Sequence, residues 1–449
     1  MSTPQAEPTV APLKLPPITE ETLANGLAVV TARKADLPLV AVRLVIRAGA
    51  ARDPKGKEGL ASFAGALLRR GTTKRTADEI DDAVEQIGGL LGVDVGYEST
   101  SIAATVPSEH VATALDVIAE LARRPSFPEK EFNLEKRRHL AQLQQELDDP
   151  SGVADRALIR FFYGKDHPYA HPTDGHTASV KTFKRADMAA FHEKAFTPRG
   201  ATLFFVGDID AKTAGELARQ VLGSWTGADL PERTKTAPGQ ASGIDVLVVD
   251  KPDATQAQVR AVVPGMPRKD PAYYAAIVAN TIVGGGFTSR LVDEVRVNRG
   301  LSYSVSTRVI ALRDTGAVSF STFTRTDTVR QIIDVSLKVM SEFHKNGPTE
   351  EEVRKAKRYV IGLYPGRVES IDALAEALAG ARLADLPFDS IEAYRNRIGD
   401  VDVAAAAGAA RFFPNDACAK IVVVGSAEKI RPQLAGLGTL SVARIADYE

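Results

Sequence analysis

Two long stretches of this 449-residue sequence carry the same succession of apolar runs, so one fold has to serve both. Gly26 to Gly49 opens with the β-rich run Leu27–Val30 and, after a polar stretch, continues with Val40–Ile46. Ile244 to Met266 opens the same way, with Val246–Val249 followed by Val259–Val263. Later, Pro128-Glu-Lys-Glu-Phe132 and Pro348-Thr-Glu-Glu-Glu-Val353 each precede a charged helical pattern. Each Pro suits a first helical position, and the acids behind it suit the positive end of the helix dipole. The closing segments correspond too: Phe196-Thr-Pro198 leads to Ala201–Gly207, and Phe413-Pro414 leads to Lys420–Gly425. Residues 231–243, rich in Pro, Gly and Thr, read as a linker between an N-terminal domain over 20–230 and a C-terminal domain over 244–449.

Within each half, strand pairs come first and helical patterns lie between strands. Ala77–Ile87 and Ala112–Leu121 read as helices, and Gly92–Val106 alternates as strand. This mixture predicts α+β domains, each a largely antiparallel sheet with helices on one face. The chain is long enough for two or three domains of about 150 residues. A formal net charge of -1 predicts neither a nucleic-acid nor an anionic-membrane partner. No apolar run approaches the roughly 20 residues that span a bilayer. Residues 1–19 begin with a Pro-, Ala- and Thr-rich stretch of little charge, which reads as a flexible tail rather than a signal peptide. The only cysteine, Cys418, reads as a small buried residue beside Ile421–Val424.

Glu58–Arg70 reads EGLASFAGALLRR. Leu60, Phe63, Ala64, Leu67 and Leu68 form one apolar helical stripe, and Gly71 ends it. Ser62, Gly65 and Ala66 occupy the opposite face. The frame resembles the metal helix of the pitrilysin and mitochondrial processing peptidase family of zinc peptidases. There, H-x-x-E-H stands between a Gly/Ala frame and Gly-Thr. Gly59, Ala61, Phe63, Gly71 and Thr72 keep that frame here, while Ser62, Gly65 and Ala66 fall at the first His, the Glu and the second His. The resemblance places the third ligand, a Glu, at Gln142, counted back from Asp149-Pro150. Zinc takes His nitrogen, Cys sulfur or carboxylate oxygen, so this set offers no site, and Gly65 offers no general base. A second group, His167, His171 and His176 in HPYAHPTDGH, has ligand chemistry. Pro168 and Pro172 prevent the helix that would align its first two members, and a loop held by the prolines is the simpler reading. His192 reads as a helix-surface residue.

Gly284–Ser306 reads GGGFTSRLVDEVRVNRGLSYSVS. Phe287, Leu291 and Val295 are spaced for a helix over 287–298, ended by Gly300, and Leu301–Ser306 alternates as strand. Arg296 then lies in the last helical turn and Tyr303 near the start of the strand. By themselves these two residues also suit a pairing with Asp293 and ordinary strand packing. The whole segment, however, is similar to the second half of pitrilysin-like peptidases. Their Ser-Arg-Leu and Arg-Gly-Leu motifs frame an Arg and a Tyr seven residues apart, matched here by Arg296 and Tyr303. In the family that pair faces the zinc helix and contacts the substrate backbone. The triple glycine lacks the Lys-[Ser/Thr] of a phosphate loop and reads as a turn.

The resemblance covers nearly the whole chain after about residue 20 and implies half of a four-domain clamshell. It implies a homologous zinc-binding partner subunit, a peptide substrate, and no metal cofactor in this chain. Arg296 and Tyr303 would then serve the partner's zinc site in trans. The alternative is a non-enzymatic structural or binding homologue, as in the core subunits of respiratory complexes. The composition of the first residues suggests a periplasmic setting, with cytoplasm second.

Overall fold

The computed structural model describes residues 13–231 and 243–448. The proposed linker lies almost wholly outside the described residues, as do the first twelve residues of the proposed tail. The last two tail residues, Ile18 and Thr19, open a strand.

The first half forms a six-stranded sheet from β1 (Ile18–Thr22), β2 (Ala28–Arg33), β3 (Leu39–Ile46), β4 (Leu90–Val95), β5 (Thr100–Pro107) and β6 (Ala201–Gly207). Its strand order is β1-β2-β6-β3-β5-β4, antiparallel except for β2 against β6. The second half repeats it with β7 (Ile244–Asp250), β8 (Ala257–Pro264), β9 (Val305–Ala311), β10 (Gly316–Thr324), β11 (Ala419–Gly425) and β12 (Thr439–Arg444). The order is β12-β7-β11-β8-β10-β9. The duplication read from the sequence is therefore a duplication of sheets, with β7, β8 and β11 standing for β2, β3 and β6. The outermost strand departs from it: β12 comes from the chain end and runs parallel to β7, whereas β1 precedes β2 and runs antiparallel.

One face of the first sheet carries α1 (Leu60–Leu68), α2 (Ala77–Glu85) and α3 (Val111–Arg123). Val40, Val42, Leu44 and Ile46 of β3 point into this layer and share a buried cluster with Phe63, Leu67 and Leu115. The period-2 alternation sends Ala41 and Val45 to the other face. That face is covered from the other half. Leu374 and Leu378, on the helix Ile371–Leu383, lie in one buried cluster with Ala41, Val45 and Phe204. The exchange is reciprocal. After α4 (Glu129–Asp148), Asp149 caps α5 (Pro150–Tyr163), whose Val153, Ala157 and Phe162 bury against Val249, Val262 and Val422 of the second sheet. Arg260 of β8 bonds Asp155 at 2.7 Å and Ser151 at 2.7 Å, and Arg43 of β3 pairs with Glu376 at 2.7 Å. Each half thus completes the other's core.

Local boundaries moved from the sequence reading in instructive ways. Gly92–Val106 is a hairpin, because Gly96–Ser99 turns between β4 and β5. Pro128 is the N-cap of α4, and Thr349 rather than Pro348 caps the helix Glu350–Leu363 through a capping box with Glu352. Cys418 is half-buried in the turn before β11, where the Asn415 side chain accepts its N–H. It is not a core residue.

Candidate functional site

The candidate metal helix is built as expected and closed as a metal site. Leu60, Phe63, Ala64, Leu67 and Leu68 are all buried, so the apolar stripe faces the sheet. Asp53 holds the helix start. Its carboxylate accepts the N–H groups of Gly59 at 2.7 Å and Ala61 at 2.8 Å. Burial pushes this carboxyl up to about 8 although the helix N–H groups pull the other way. The sequence reading missed Asp53. Its signal was an acid a few residues ahead of a helix that has no acid in its own first turn.

Gly65, which the sequence resemblance sets at the family's catalytic Glu, is buried. A Cβ there would meet Val95 Cγ2 of β4 at 2.4 Å. The glycine is therefore the residue that lets the helix approach the sheet edge, and the valine occupies the space a carboxylate would need. Ser62 is half-buried and Ala66 exposed. Gln142 projects from α4 into solvent and donates to Glu146 at 3.0 Å. A hydroxyl, a missing side chain, a methyl and a carboxamide are a donor set that does not fit zinc.

The histidine loop is a hydrogen-bonded brace. His171 Nε2 donates to the Lys165 carbonyl at 2.9 Å, which leaves its Nδ1 to accept from His176 Nε2, also at 2.9 Å. His176 Nδ1 is buried without a partner among the described residues, and burial pushes the ring's pKa down to about 4. His167 stacks on Tyr163 at 4.6 Å between centroids. His192 differs from its reading as a surface residue: it is half-buried and bonds the Ala122 carbonyl at the end of α3 at 2.8 Å. Among the described residues, no group of three or more His, Cys, Asp or Glu is arranged to hold a metal ion.

In the second half, the segment around Arg296 is wound more widely than an α-helix. Thr281–Gly285 and Val292–Asn298 are both π-helical, a rare winding that concentrates at functional sites. Leu291 and Val295 are fully buried, as their spacing predicts. Phe287 is not part of this helix. The winding begins only at Arg290, and Phe287 stands 81% exposed in the turn made by Gly286 and Ser289. Gly284 lets the preceding π-helical segment pack against β9, since a Cβ would meet Thr307 Oγ1 at 2.7 Å.

The structure brings Arg296 and Tyr303 together. The Arg296 guanidinium lies over the Tyr303 ring, 4.3 Å from its centroid. Among the described residues Arg296 has no carboxylate partner, so the pairing with Asp293 is not made. Tyr303 is 73% exposed, which rules out strand packing as its role. It precedes β9 on a segment that is firmly anchored. Thr322 Oγ1 donates to the Ser304 carbonyl at 2.8 Å, Thr324 Oγ1 donates to the Leu301 carbonyl at 2.8 Å, and the buried Ser302 hydroxyl bonds Ser304 O at 2.9 Å. Thr322 and Thr324, inward-facing on β10, are site-building residues the sequence reading did not single out. An exposed phenol held on a fixed backbone, with a stacked cation beside it, can donate to a carbonyl oxygen that gains negative charge.

The chain is similar to known proteins over most of its length. Residues 28–170 match the family profile of insulinase, peptidase family M16, and residues 182–360 match that of the peptidase M16 inactive domain. An uncharacterized zinc protease of Mycobacterium leprae is 28% identical over 385 residues, covering 85% of this chain and 86% of its own length. One of Bacillus subtilis is 24% identical over 358 residues, covering 78% and 85%. A crystal structure of a peptidase M16 inactive domain from Pseudomonas fluorescens superposes with a TM-score of 0.85 at 26% identity, over 91% of this chain and 98% of that one. A chain of complex III from Candida albicans shares the fold, with a TM-score of 0.79 at 18% identity over 95% and 100% of the two chains. Matched in both halves and similar in fold along most of its length, the chain belongs to the pitrilysin, or M16, family of peptidases.

Proposed function

We propose that this chain is the metal-free, substrate-gripping subunit of a two-subunit zinc peptidase. A homologous partner bearing H-x-x-E-H supplies the zinc, and Arg296 and Tyr303 complete its site. The observation that carries the reading is the contrast between the two halves. The metal helix is filled in by Val95, while Arg296, half-buried, stacks on an exposed Tyr303 and neither has another side-chain partner among the described residues. A chain kept only for its fold has no need to present a phenol to solvent on a braced segment.

The substrate in this reading is an unfolded peptide. β9 is the outermost strand of its sheet and begins two residues after Tyr303, so its free edge suits a peptide added as a further strand. The tyrosine donates to the scissile carbonyl oxygen as charge develops there, and the guanidinium holds neighbouring backbone carbonyls. The test is reconstitution with the co-purifying zinc-bearing homologue. Peptide cleavage should need both subunits, and a Tyr303→Phe chain that restores full cleavage would sink the assignment.

The likeness to a complex III chain favours a second reading, a structural homologue without catalytic duty. In that case no zinc-bearing homologue co-purifies and Tyr303→Phe changes no activity.

A further inference from the structure

A cavity lies at the far end of β9 from Tyr303, roughly 20 Å along a seven-residue strand. It has a volume of about 530 Å³ and lies between the β9–β10 turn, the loop at Glu98 of the first half, and the helix Ile371–Leu383. Its floor is the small-residue face of that helix and its C-cap, where Ala377, Gly380 and Ala384 leave room.

The polar groups around it divide into two sets. Glu98 accepts from the Tyr169 hydroxyl, Glu376 pairs with Arg43, and Arg313 pairs with Asp385 at 2.7 Å, so these are already engaged. Arg268 and Arg367 are not. Among the described residues neither guanidinium makes a side-chain hydrogen bond or ion pair. The Arg268 guanidinium lies over the Tyr273 ring, 3.8 Å from its centroid. Stacking uses the face of a guanidinium and leaves its in-plane N–H groups free to donate.

Tyr394 adds a third donor. It is 6% exposed, its ring is stacked on Tyr364 at 4.3 Å, and its hydroxyl has no hydrogen-bond partner among the described residues. Tyr394 lines the same cavity as Arg268 and Arg367; burial pushes its phenol up, while the two positive charges pull it down. Tyr364 differs, because its hydroxyl donates to the Ile391 carbonyl at 2.8 Å. A hydroxyl with no protein partner and two unengaged guanidinium groups, Arg268 half-buried and Arg367 exposed at the rim, give the cavity donors without acceptors, which suits an anion. The lining carries Arg268, Arg313 and Arg367 against Glu98 and Glu376, which leaves one positive charge. That balance suits a monoanion and not a polyphosphate.

We propose that this cavity binds a monocarboxylate with an apolar body. The carboxylate sits between Arg268, Arg367 and the Tyr394 hydroxyl, and the apolar part lies on the Ala/Gly face of the helix. The C-terminal residue of a peptide and a free apolar acid share this chemistry. No partner subunit or zinc enters the measurement below, so its failure leaves the subunit reading intact.

The test is calorimetric titration of the full chain with N-acetylphenylalanine, with its carboxamide analogue, and with a short peptide ending in phenylalanine, as free acid and as amide. The free acids should bind saturably and the amides should not. Arg268→Gln and Arg367→Gln should each weaken the acids by roughly ten- to hundred-fold. Tyr394→Phe keeps the ring stack and should weaken them several-fold with an unchanged thermal midpoint. A tighter hold on the peptide acid than on N-acetylphenylalanine assigns the pocket to peptide ends; equal affinity assigns it to free carboxylates. Either supports the site. Equal binding of acid and amide, no saturable binding of any acid, or full affinity in the folded variants overturns it.

Discussion

If Val95 closes the metal helix, Gly65→Ala should destabilise this protein, although glycine to alanine inside a helix ordinarily stabilises. Alanine is the better helix former by about 1 kcal/mol. Against that gain stands a Cβ 2.4 Å from Val95 Cγ2, well inside the contact distance of roughly 3.5–4.0 Å. Forcing a methyl into a packed contact costs about 1–3 kcal/mol. The net expectation is a loss of about 0–2 kcal/mol. The decisive quantity is the coupling. In a Val95→Ala background the obstruction is gone, and Gly65→Ala should recover its gain of about 1 kcal/mol. The effect of the substitution should therefore differ between backgrounds by about 1–3 kcal/mol. Urea unfolding of the four chains, followed by circular dichroism, measures it. Stabilisation by Gly65→Ala in both backgrounds would refute the packing argument. It would leave the absent catalytic carboxylate as a change of sequence alone, with no structural closure behind it.

Three further outcomes are expected. With the zinc-bearing partner, Tyr303→Phe should lower peptide cleavage by up to about 10²–10³ with little change in this chain's unfolding midpoint, as expected for loss of one transition-state donor; steady-state kinetics read it. His176, held near a pKa of 4 against an ordinary 6.5, stays neutral in the folded chain while the unfolded chain takes up a proton. Its stabilising contribution is complete above about pH 6.5 and is lost as pH falls toward 4, by up to about 3 kcal/mol. A His176→Gln chain should lose less stability over that window in pH-dependent urea melts. Leu378→Ala, in the helix that crosses to the first sheet, should cost about 2–5 kcal/mol and should loosen amide-exchange protection in β3 and β6, which belong to the other half.

What was legible in the sequence followed from periodicity. The stripe of Leu60, Phe63 and Leu67 has a period that only a helix satisfies, the short apolar run Val40–Ile46 reads as a strand, and Leu60, Phe63, Leu67, Val40, Val42 and Leu44 all bury in one cluster. The same period misled at Phe287, where spacing alone cannot tell a helix from a turn closed by the Ser289 N–H on the Gly286 carbonyl. π-Winding across Val292–Asn298 leaves no sequence signature, because an extra residue per turn changes which groups bond and not which residue types are used. The exchanged helices were invisible for a different reason. Leu374 and Leu378 look like any apolar stripe, and nothing local says which sheet receives it. At the site, the residue types of Ser62, Gly65, Ala66 and Gln142 could be read directly, but Val95 filling the space beside Gly65 is a tertiary fact. The stacking of Arg296 on Tyr303 needed the fold as well, since seven residues and a left-handed Gly300 at φ 59° separate the pair.

The most direct measurement is zinc content together with peptide hydrolysis for the purified chain, incubated with zinc and then dialysed. The account predicts far less than one zinc per chain and no cleavage until the partner is added. One tightly held zinc per chain, with unaided cleavage that a chelator abolishes, would contradict it.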